Sequence, residues 1–297
     1  MPLHGGTLTL APDLTITRMG YGAMQLPGKG VWGPPRDHDE AITVLRAAVE
    51  AGINHIDTAD FYGFHVSNDL IREALSPYPD GLQLVTKVGA TRTEDGGWVH
   101  DRTPEALVAQ VDDNLTHLGV ETLDVVNLRM GTADSTAEES IADRIGALLE
   151  LQQQGKIKHL GLSQVTDAQL TEALGITPIV TVQQFYNLVG RGDEAMLRRT
   201  AELGIAYVPY FPLGGFTPLQ SGVLAEVAGR LDATPQQVAL AWLLQRSPNV
   251  ALIPGTSSRA HLAENIAAAE LELPAAELAE LDAIDAVATP MGAPTAD

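Results

Sequence analysis

Eight apolar runs of strand length recur along the chain, and a stretch with helical periodicity or a helix-start signal follows each. They fall at about Arg18–Gly22, Ile53–Asp57, Leu82–Lys87, Leu123–Leu128, His159–Leu162, Ile179–Gln183, Ala206–Tyr210 and Ala251–Ile253. Between them, Asp39 is expected to cap a helix over Glu40–Ala51 that Gly52 ends. Thr103-Pro-Glu opens one running to about His117, closed by Gly119. Thr136 opens another that reaches Gln154 and stops at Gly155. Thr166-Asp, Asp193-Glu, Thr234-Pro and Ser257-Ser258 supply four further starts. No break in composition divides the eight units. They therefore predict one closed parallel α/β barrel, a (β/α)8 or TIM barrel, in a single domain over residues 1–297. A doubly wound sheet is the rival architecture, and the count of eight argues against it. Thr7–Leu10 and Leu14–Thr17, turned by Pro12-Asp13, predict an N-terminal β-hairpin that plugs one end of the barrel. Pro274–Ile284 predicts an extra C-terminal helix before an irregular tail, Ala286–Asp297.

Charge and composition exclude several function classes. The 45% apolar content supplies a sizeable core, but a net charge of −20 argues against nucleic acid or an anionic membrane as a partner. Any anionic cofactor has to be held locally, by helix ends and a few basic groups. With no cysteine, disulfides, thiolate metal sites and a cysteine nucleophile are ruled out. The first residues lack the basic and apolar regions of a signal peptide, and no apolar run approaches the roughly 18 residues of a membrane span. A soluble, cytoplasmic protein is expected, as a monomer or weak homo-oligomer with a small-molecule partner.

Asp57, Tyr62 and Lys87 lie at or just beyond the ends of two successive apolar runs, where a carboxylate, a phenol and an ammonium can converge. Tyrosine titrates near ~10 in isolation, so it needs help to act as an acid at neutral pH. Lys87 beside it would favour the phenolate, and Asp57 would keep the ammonium placed and charged. The alternative is a structural strand-end pair, which leaves Tyr62 without a task. Gly28-Lys-Gly30-Val-Trp-Gly33 matches a Gly-x-Gly-x-x-Gly phosphate loop literally, but Pro34-Pro35 follows at once, so no helix starts there to receive a pyrophosphate. It reads as a loop over the first strand.

Seven motifs in order carry a resemblance that runs from about Arg18 to Glu270. They are Met-Gly-Tyr-Gly22-Ala-Met, His-Ile-Asp57-Thr-Ala-Asp-Phe-Tyr62-Gly, Val-Thr-Lys87-Val-Gly, Lys-His-Leu-Gly-Leu-Ser163-Gln164, Val-Gln183-Gln-Phe-Tyr-Asn, Val-Pro-Tyr210-Phe-Pro-Leu-Gly and Leu-Ile-Pro-Gly255-Thr-Ser-Ser. The chain resembles the aldo-keto reductase superfamily. Asp124-Val-Val-Asn-Leu-Arg129 and Gly214-Gly-Phe-Thr-Pro-Leu-Gln220 are most similar to a bacterial branch that includes NADPH-dependent pyridoxal reductases. The resemblance implies a nicotinamide cofactor across the C-terminal mouth of the barrel, with Tyr62 giving the proton to a carbonyl oxygen and Lys87 and Asp57 tuning it. Where the family usually carries a catalytic histidine after the fourth strand, this chain has Arg129, and no other histidine is expected nearby. An arginine stays protonated, so it exchanges no proton but can clamp an oxyanion or substrate. A structural ion pair with Asp134 or Asp101 is the alternative.

The same resemblance implies a cofactor site. Gly22, Ala23 and Met24 would border it beside Asp57, and Ser163, Gln164 and Gln183 would bond the nicotinamide carboxamide. Tyr210 would stack on the ring. Phe211, Pro212, Leu213, Gly214 and Gly215 would pass under the pyrophosphate, where glycine permits close approach. Ile253, Gly255, Thr256, Ser257 and Ser258 would lead the adenosine phosphate to a helix start, with Arg259 and His261 adding positive charge. Glu264 and Asn265 would reach the adenine. Glutamine at 164, glycine at 255 and histidine at 261 depart from the residues many relatives carry. The hydroxyl-rich helix start still points to NADPH (NADP+), with NADH less favoured and no metal.

Specificity should lie in the mouth loops. Pro27–Asp37 carries Trp32 and Thr91–Arg102 carries Trp98; with Arg129 these are the expected substrate residues, and a loop anchor is the alternative for each tryptophan. Trp242 belongs to the core, while Tyr186, Asn187 and Arg191 are expected at the mouth. Three functions fit: reduction of a dedicated aldehyde or ketone such as pyridoxal, broad aldehyde detoxification, or a cofactor-binding regulatory subunit with little turnover.

Overall fold

The computed structural model describes residues 5–131, 139–214 and 221–285. Strands β1 (Thr7–Ala11) and β2 (Leu14–Thr17) form the expected antiparallel hairpin around Pro12-Asp13. Seven parallel strands follow in one curled sheet, interrupted by a small insert. They are β3 (Tyr21–Gly22), β4 (His55–Asp57), β5 (Gln83–Val88), β8 (Leu123–Arg129), β9 (Ile157–Ser163), β10 (Ile179–Phe185) and β11 (Ala206–Tyr210). The insert is a two-stranded hairpin, β6 (Thr91–Arg92) with β7 (Trp98–Val99), in place of the irregular loop expected around Trp98.

The eighth run forms no ladder of its own, yet it closes the ring. Met19 bridges Leu252, Gly22 bridges Gly255, and Tyr207 bridges Val250. Gly20 N donates to Leu252 O at 2.8 Å, Leu252 N to Arg18 O at 2.7 Å, and Ala251 N to Tyr207 O at 3.0 Å. The last run thus bonds to both edges of the sheet, removing the open edges that a doubly wound sheet would keep.

Helices α1 (His38–Glu50), α2 (Val66–Leu75), α3 (Pro104–Leu118), α4 (Ala142–Gln153), α5 (Asp167–Leu174) and α6 (Glu194–Glu202) cover the outside between successive strands. Then come α7 (Gly222–Arg230), which the sequence reading lacked, α8 (Pro235–Arg246), α9 (Arg259–Ala267) and α10 (Ala275–Asp282). Asp37, not Asp39, caps α1: its side chain accepts from Glu40 N. Asp39 falls inside the first turn, where a carboxylate meets the positive end of the helix. Thr166 and Thr234 close full capping boxes with Gln169 and Gln237. Asp193 opens α6 but turns its carboxylate to Tyr207 Oη at 2.8 Å. Thr136, Asp134, Gly215 and the tail from 286 lie outside the described residues, and α4 begins at Ala142. No helix among the described residues is long and apolar enough to cross a membrane.

Period-two alternation sorts the strand side chains into two cores. Outward residues such as Ile56, Leu84, Val126 and Leu160 pack under the helices, with fully buried Trp242 among them. Inward residues Val85, Val125, Ala206, Val208 and Ala251 pack on Leu14 and Ile16 of the hairpin, which seals that end of the barrel. Continuing the alternation toward the other end brings Asp57, Lys87, Arg129, Ser163, Gln183 and Tyr210 to the tips of their strands. A polar middle layer is crowded enough to demand a glycine. A Cβ on Gly161 would lie 2.0 Å from Thr181 Oγ1 and 2.1 Å from Asn127 Oδ1.

Candidate active site

The turn after β4 is built to project Tyr62. Its N–H donates to Ala59 O at 3.0 Å, Gly63 N to Val31 O at 3.0 Å and His65 N to Asp60 O at 2.7 Å. Gly63, Phe64 and His65 all take positive φ. At Gly63 a Cβ would meet Val66 and Pro27 below 3 Å, so only glycine fits. For Phe64 and His65 the left-handed conformation is strained, and the bond that His65 Nδ1–H donates to Asp60 Oδ1 at 2.7 Å braces it.

Lys87 Nζ donates to Asp57 Oδ1 at 2.5 Å and to Thr58 O at 2.8 Å, and lies 5.0 Å from the centroid of the Tyr62 ring. The other oxygen of Asp57 accepts from Gln183 Nε2 at 2.5 Å. All five residues are buried. Burial opposes the charge of Lys87, but Asp57 and Tyr62 outweigh it and hold the ammonium above its ordinary range. For Tyr62, burial pushes the phenol above its ordinary 10.0, against the downward pull of Lys87. Lys87 therefore acts in the direction expected from sequence, yet the phenol stays protonated because desolvation is the larger effect. Arg129 also pulls Tyr62 down.

An open cleft at this end is lined by Gly22, Met24, Gln25, Asp57, Tyr62, Lys87, Tyr210, Phe211, Pro212, Leu213, Ile253, Pro254 and Gly255. Gln25 and Pro254 are the members that the sequence did not single out. Ala23 sits behind them, fully buried at the start of a 3-10 turn, Ala23–Gln25. Gly214 N donates to Phe211 O at 3.0 Å, which folds that segment into a turn. Ser163 is buried at its strand tip, and Gln164 adopts φ 55° with its Nε2 on Tyr210 Oη at 2.7 Å. Both Gln164 Oε1 and Gln183 Oε1 are buried without a partner among the described residues. Unmet acceptors of this kind are costly, by about 1–3 kcal/mol each, and a ligand amide N–H would satisfy them. The residues present thus fit a carboxamide.

At the segment expected to receive the adenosine phosphate, Thr256 Oγ1 accepts from Ser258 N at 3.0 Å, and Ser258 starts α9 without a side-chain cap. Ser257 and His261 are exposed, Glu264 is intermediate and Asn265 buried. Arg259 is not a free cation. Its backbone N–H and its Nε both reach Glu40 Oε1, at 3.2 and 3.3 Å. A carboxylate therefore already meets the helix start that the sequence offered to a phosphate.

Arg129 contradicts one expectation drawn from sequence. A histidine is close after all: Nη1 of Arg129 meets Nδ1 of His100 at 3.2 Å. The β6–β7 hairpin delivers His100 from far along the chain, and its proximity had no signal in local spacing. Asp101 does not pair with Arg129; its backbone oxygen accepts from Gln110 instead. Trp98 stands edge-on to Phe61 at 5.6 Å, and Phe61 edge-on to Tyr62 at 5.3 Å, so Trp98 joins the wall beside the phenol. Arg92 lies 3.9 Å from the Trp98 ring and 5.3 Å from the Trp32 ring, tying the two loops together. Tyr186 and Arg191 do not border the mouth. Tyr186 is fully buried on Trp242, and Arg191 donates to Leu281 O, Asp282 O and Ile284 O. Those carbonyls end α10, and a guanidinium there satisfies what the helix leaves unpaired. Asn187 reaches the mouth segment through Phe211 O at 3.1 Å.

Comparison with known proteins agrees with this geometry. The Aldo/keto reductase family model matches residues 18–286. Pyridoxine 4-dehydrogenase of Escherichia coli K12 is 57% identical over 284 residues, which is 95% of this chain and 99% of that protein. Among solved structures, a thermostable aldo-keto reductase in complex with the inhibitor epalrestat is 28% identical with a TM-score of 0.79, covering 93% of this chain and 98% of that one. The holo form of an aldo-keto reductase from Bacillus halodurans is 27% identical with a TM-score of 0.78, covering 96% and 97%. A ring of eight strand runs, a buried Lys87–Asp57 pair beside Tyr62 and these matches lead to one statement: the chain belongs to the aldo/keto reductase family.

Proposed function

We propose that the protein reduces an aldehyde to the alcohol with NADPH, that pyridoxal is its substrate, and that Tyr62 is the proton donor. The observation that carries this reading is the buried Tyr62 beside the Lys87–Asp57 pair in the lining of the cleft. When bound, the nicotinamide would supply the hydride. Gln164 and Gln183, through their unmet acceptors, would hold the carboxamide, and Tyr210 would present one face of the ring. Tyr62 would pass its proton to the carbonyl oxygen, with Lys87 stabilising the phenolate left behind. Asp57 keeps that lysine charged and fixed. The wall of Phe61 and Trp98 suits a flat aromatic aldehyde. The relative at 57% identity carries a name for pyridoxine oxidation at position 4, the reverse of the same couple.

Replacing Tyr62 by phenylalanine tests the assignment. Turnover of the aldehyde should fall by about 10²–10⁴-fold, the usual worth of a positioned acid, while NADPH binding followed by fluorescence stays intact. Turnover within about tenfold of wild type would remove Tyr62 from the role.

A further inference from the structure

Among the described residues, Arg129 is a partly buried cation with no carboxylate partner. Its hydrogen bond within the described residues runs to His100 Nδ1, and a guanidinium only donates, so that ring nitrogen accepts and carries no proton. Burial, the largest influence, works against its charge, while Tyr62 and Tyr210 favour it. Elsewhere Arg144, Arg199, Arg230, Arg246 and Arg259 find carboxylates, and Arg18, Arg92 and Arg191, which do not, donate to backbone carbonyls; among the described residues the Arg129 guanidinium has neither. Leaving a partly desolvated guanidinium unpaired at a strand tip is unfavourable, and the ligand complex is where an anion can arrive. The carboxamide suited to Gln164 and Gln183 is neutral, so the anion falls to the substrate.

We infer that the site selects aromatic aldehydes bearing an ionised oxygen on the ring carbon next to the carbonyl-bearing one, with Arg129 bridging that oxygen and the carbonyl oxygen. This rests on the reductase reading above and names the feature of the substrate that the site recognises. A guanidinium presents its donors as a planar fork, which matches two neighbouring oxygens in one plane and which neither histidine nor lysine reproduces. His100 takes one Nη1 proton and fixes the plane of the fork, as a positioning residue. Phe61 and Trp98 supply the aromatic wall beside Tyr62. The reaction keeps its balance: the carbonyl carbon gains hydride and its oxygen gains the Tyr62 proton, while the neighbouring oxygen retains its bond to the ring.

Three probes separate this from a general reductase: 2-hydroxybenzaldehyde, 2-methoxybenzaldehyde and 4-hydroxybenzaldehyde, each with NADPH and the whole chain. Wild type should prefer the 2-hydroxy compound over both others by about tenfold or more in kcat/KM, a single charge-assisted bond's worth. Arg129→Gln should bring the three within about twofold of one another, and Arg129→Lys should recover part of the preference, with the Kd for NADPH unchanged in both. Equal use of the three by wild type overturns the inference even if neither variant folds. So does a preference that survives in Arg129→Gln. Turnover of none of the three, with NADPH bound, would strike the reductase reading itself and this inference with it.

Discussion

Gln183 Nε2 donates to Asp57 Oδ2 at 2.5 Å, so a residue suited to the cofactor carboxamide is bonded directly to the anchor of Lys87. On the proposed reading, cofactor binding and proton delivery share one buried network. Gln183→Leu should cost about 1.5–3 kcal/mol of stability, because Asp57 loses a donor to a charged group in the barrel interior. It should also weaken NADPH binding by about tenfold or more. Urea unfolding together with a fluorescence titration checks both. An unchanged unfolding midpoint would mean that the bond contributes nothing.

A second buried titratable group sits one inward position below Asp57. His55 is fully buried with no side-chain hydrogen bond among the described residues, and burial pushes its pKa down to about 4 from 6.5, outweighing the upward pull of Asp57 and of the Thr17 backbone. Because the folded value is the lower one, the unfolded chain binds the extra proton between those two values. The stability that His55 contributes is present above pH 6.5 and is lost as pH falls through about 4. The full loss is on the order of 3 kcal/mol. His55→Leu should flatten the pH dependence of the unfolding free energy across that window. A wild-type stability that is level from pH 7 to 4 would contradict it.

Most of the barrel was legible because period-two apolar runs and helix caps are local signals. The residues at the strand tips followed from the same alternation, which is why Asp57, Lys87 and Gln183 meet although more than a hundred positions separate the first from the last. Long-range juxtapositions were not legible. His100 reaches Arg129 only through the β6–β7 hairpin, whose strands are two residues each and too short for any periodicity. Arg191 read as a mouth residue because it follows a strand tip, but the α10 carbonyls claim it. The α1 cap is Asp37 rather than Asp39 because two candidates two positions apart carry the same chemistry, and only backbone geometry separates them.

Glu40 bears on the choice of cofactor. Its carboxylate lies on the Arg259 N–H and guanidinium at the α9 start, where it competes with any phosphate. Both partners are substantially exposed, so the pair adds little stability. Glu40→Gln should lower the KM for NADPH by about two- to fivefold, the worth of one charge at a helix end, with the KM for NADH nearly unchanged. Steady-state titration of each cofactor decides this. Equal shifts for the two, or none, would show that the added phosphate does not bind beside Arg259.

NADPH oxidation followed at 340 nm with pyridoxal, beside simple aliphatic and aromatic aldehydes lacking the neighbouring hydroxyl, separates a pyridoxal reductase from a general one. The kcat/KM for pyridoxal should be at least about tenfold above every member of that panel. Comparable slow turnover of all of them, or none despite bound NADPH, would contradict it.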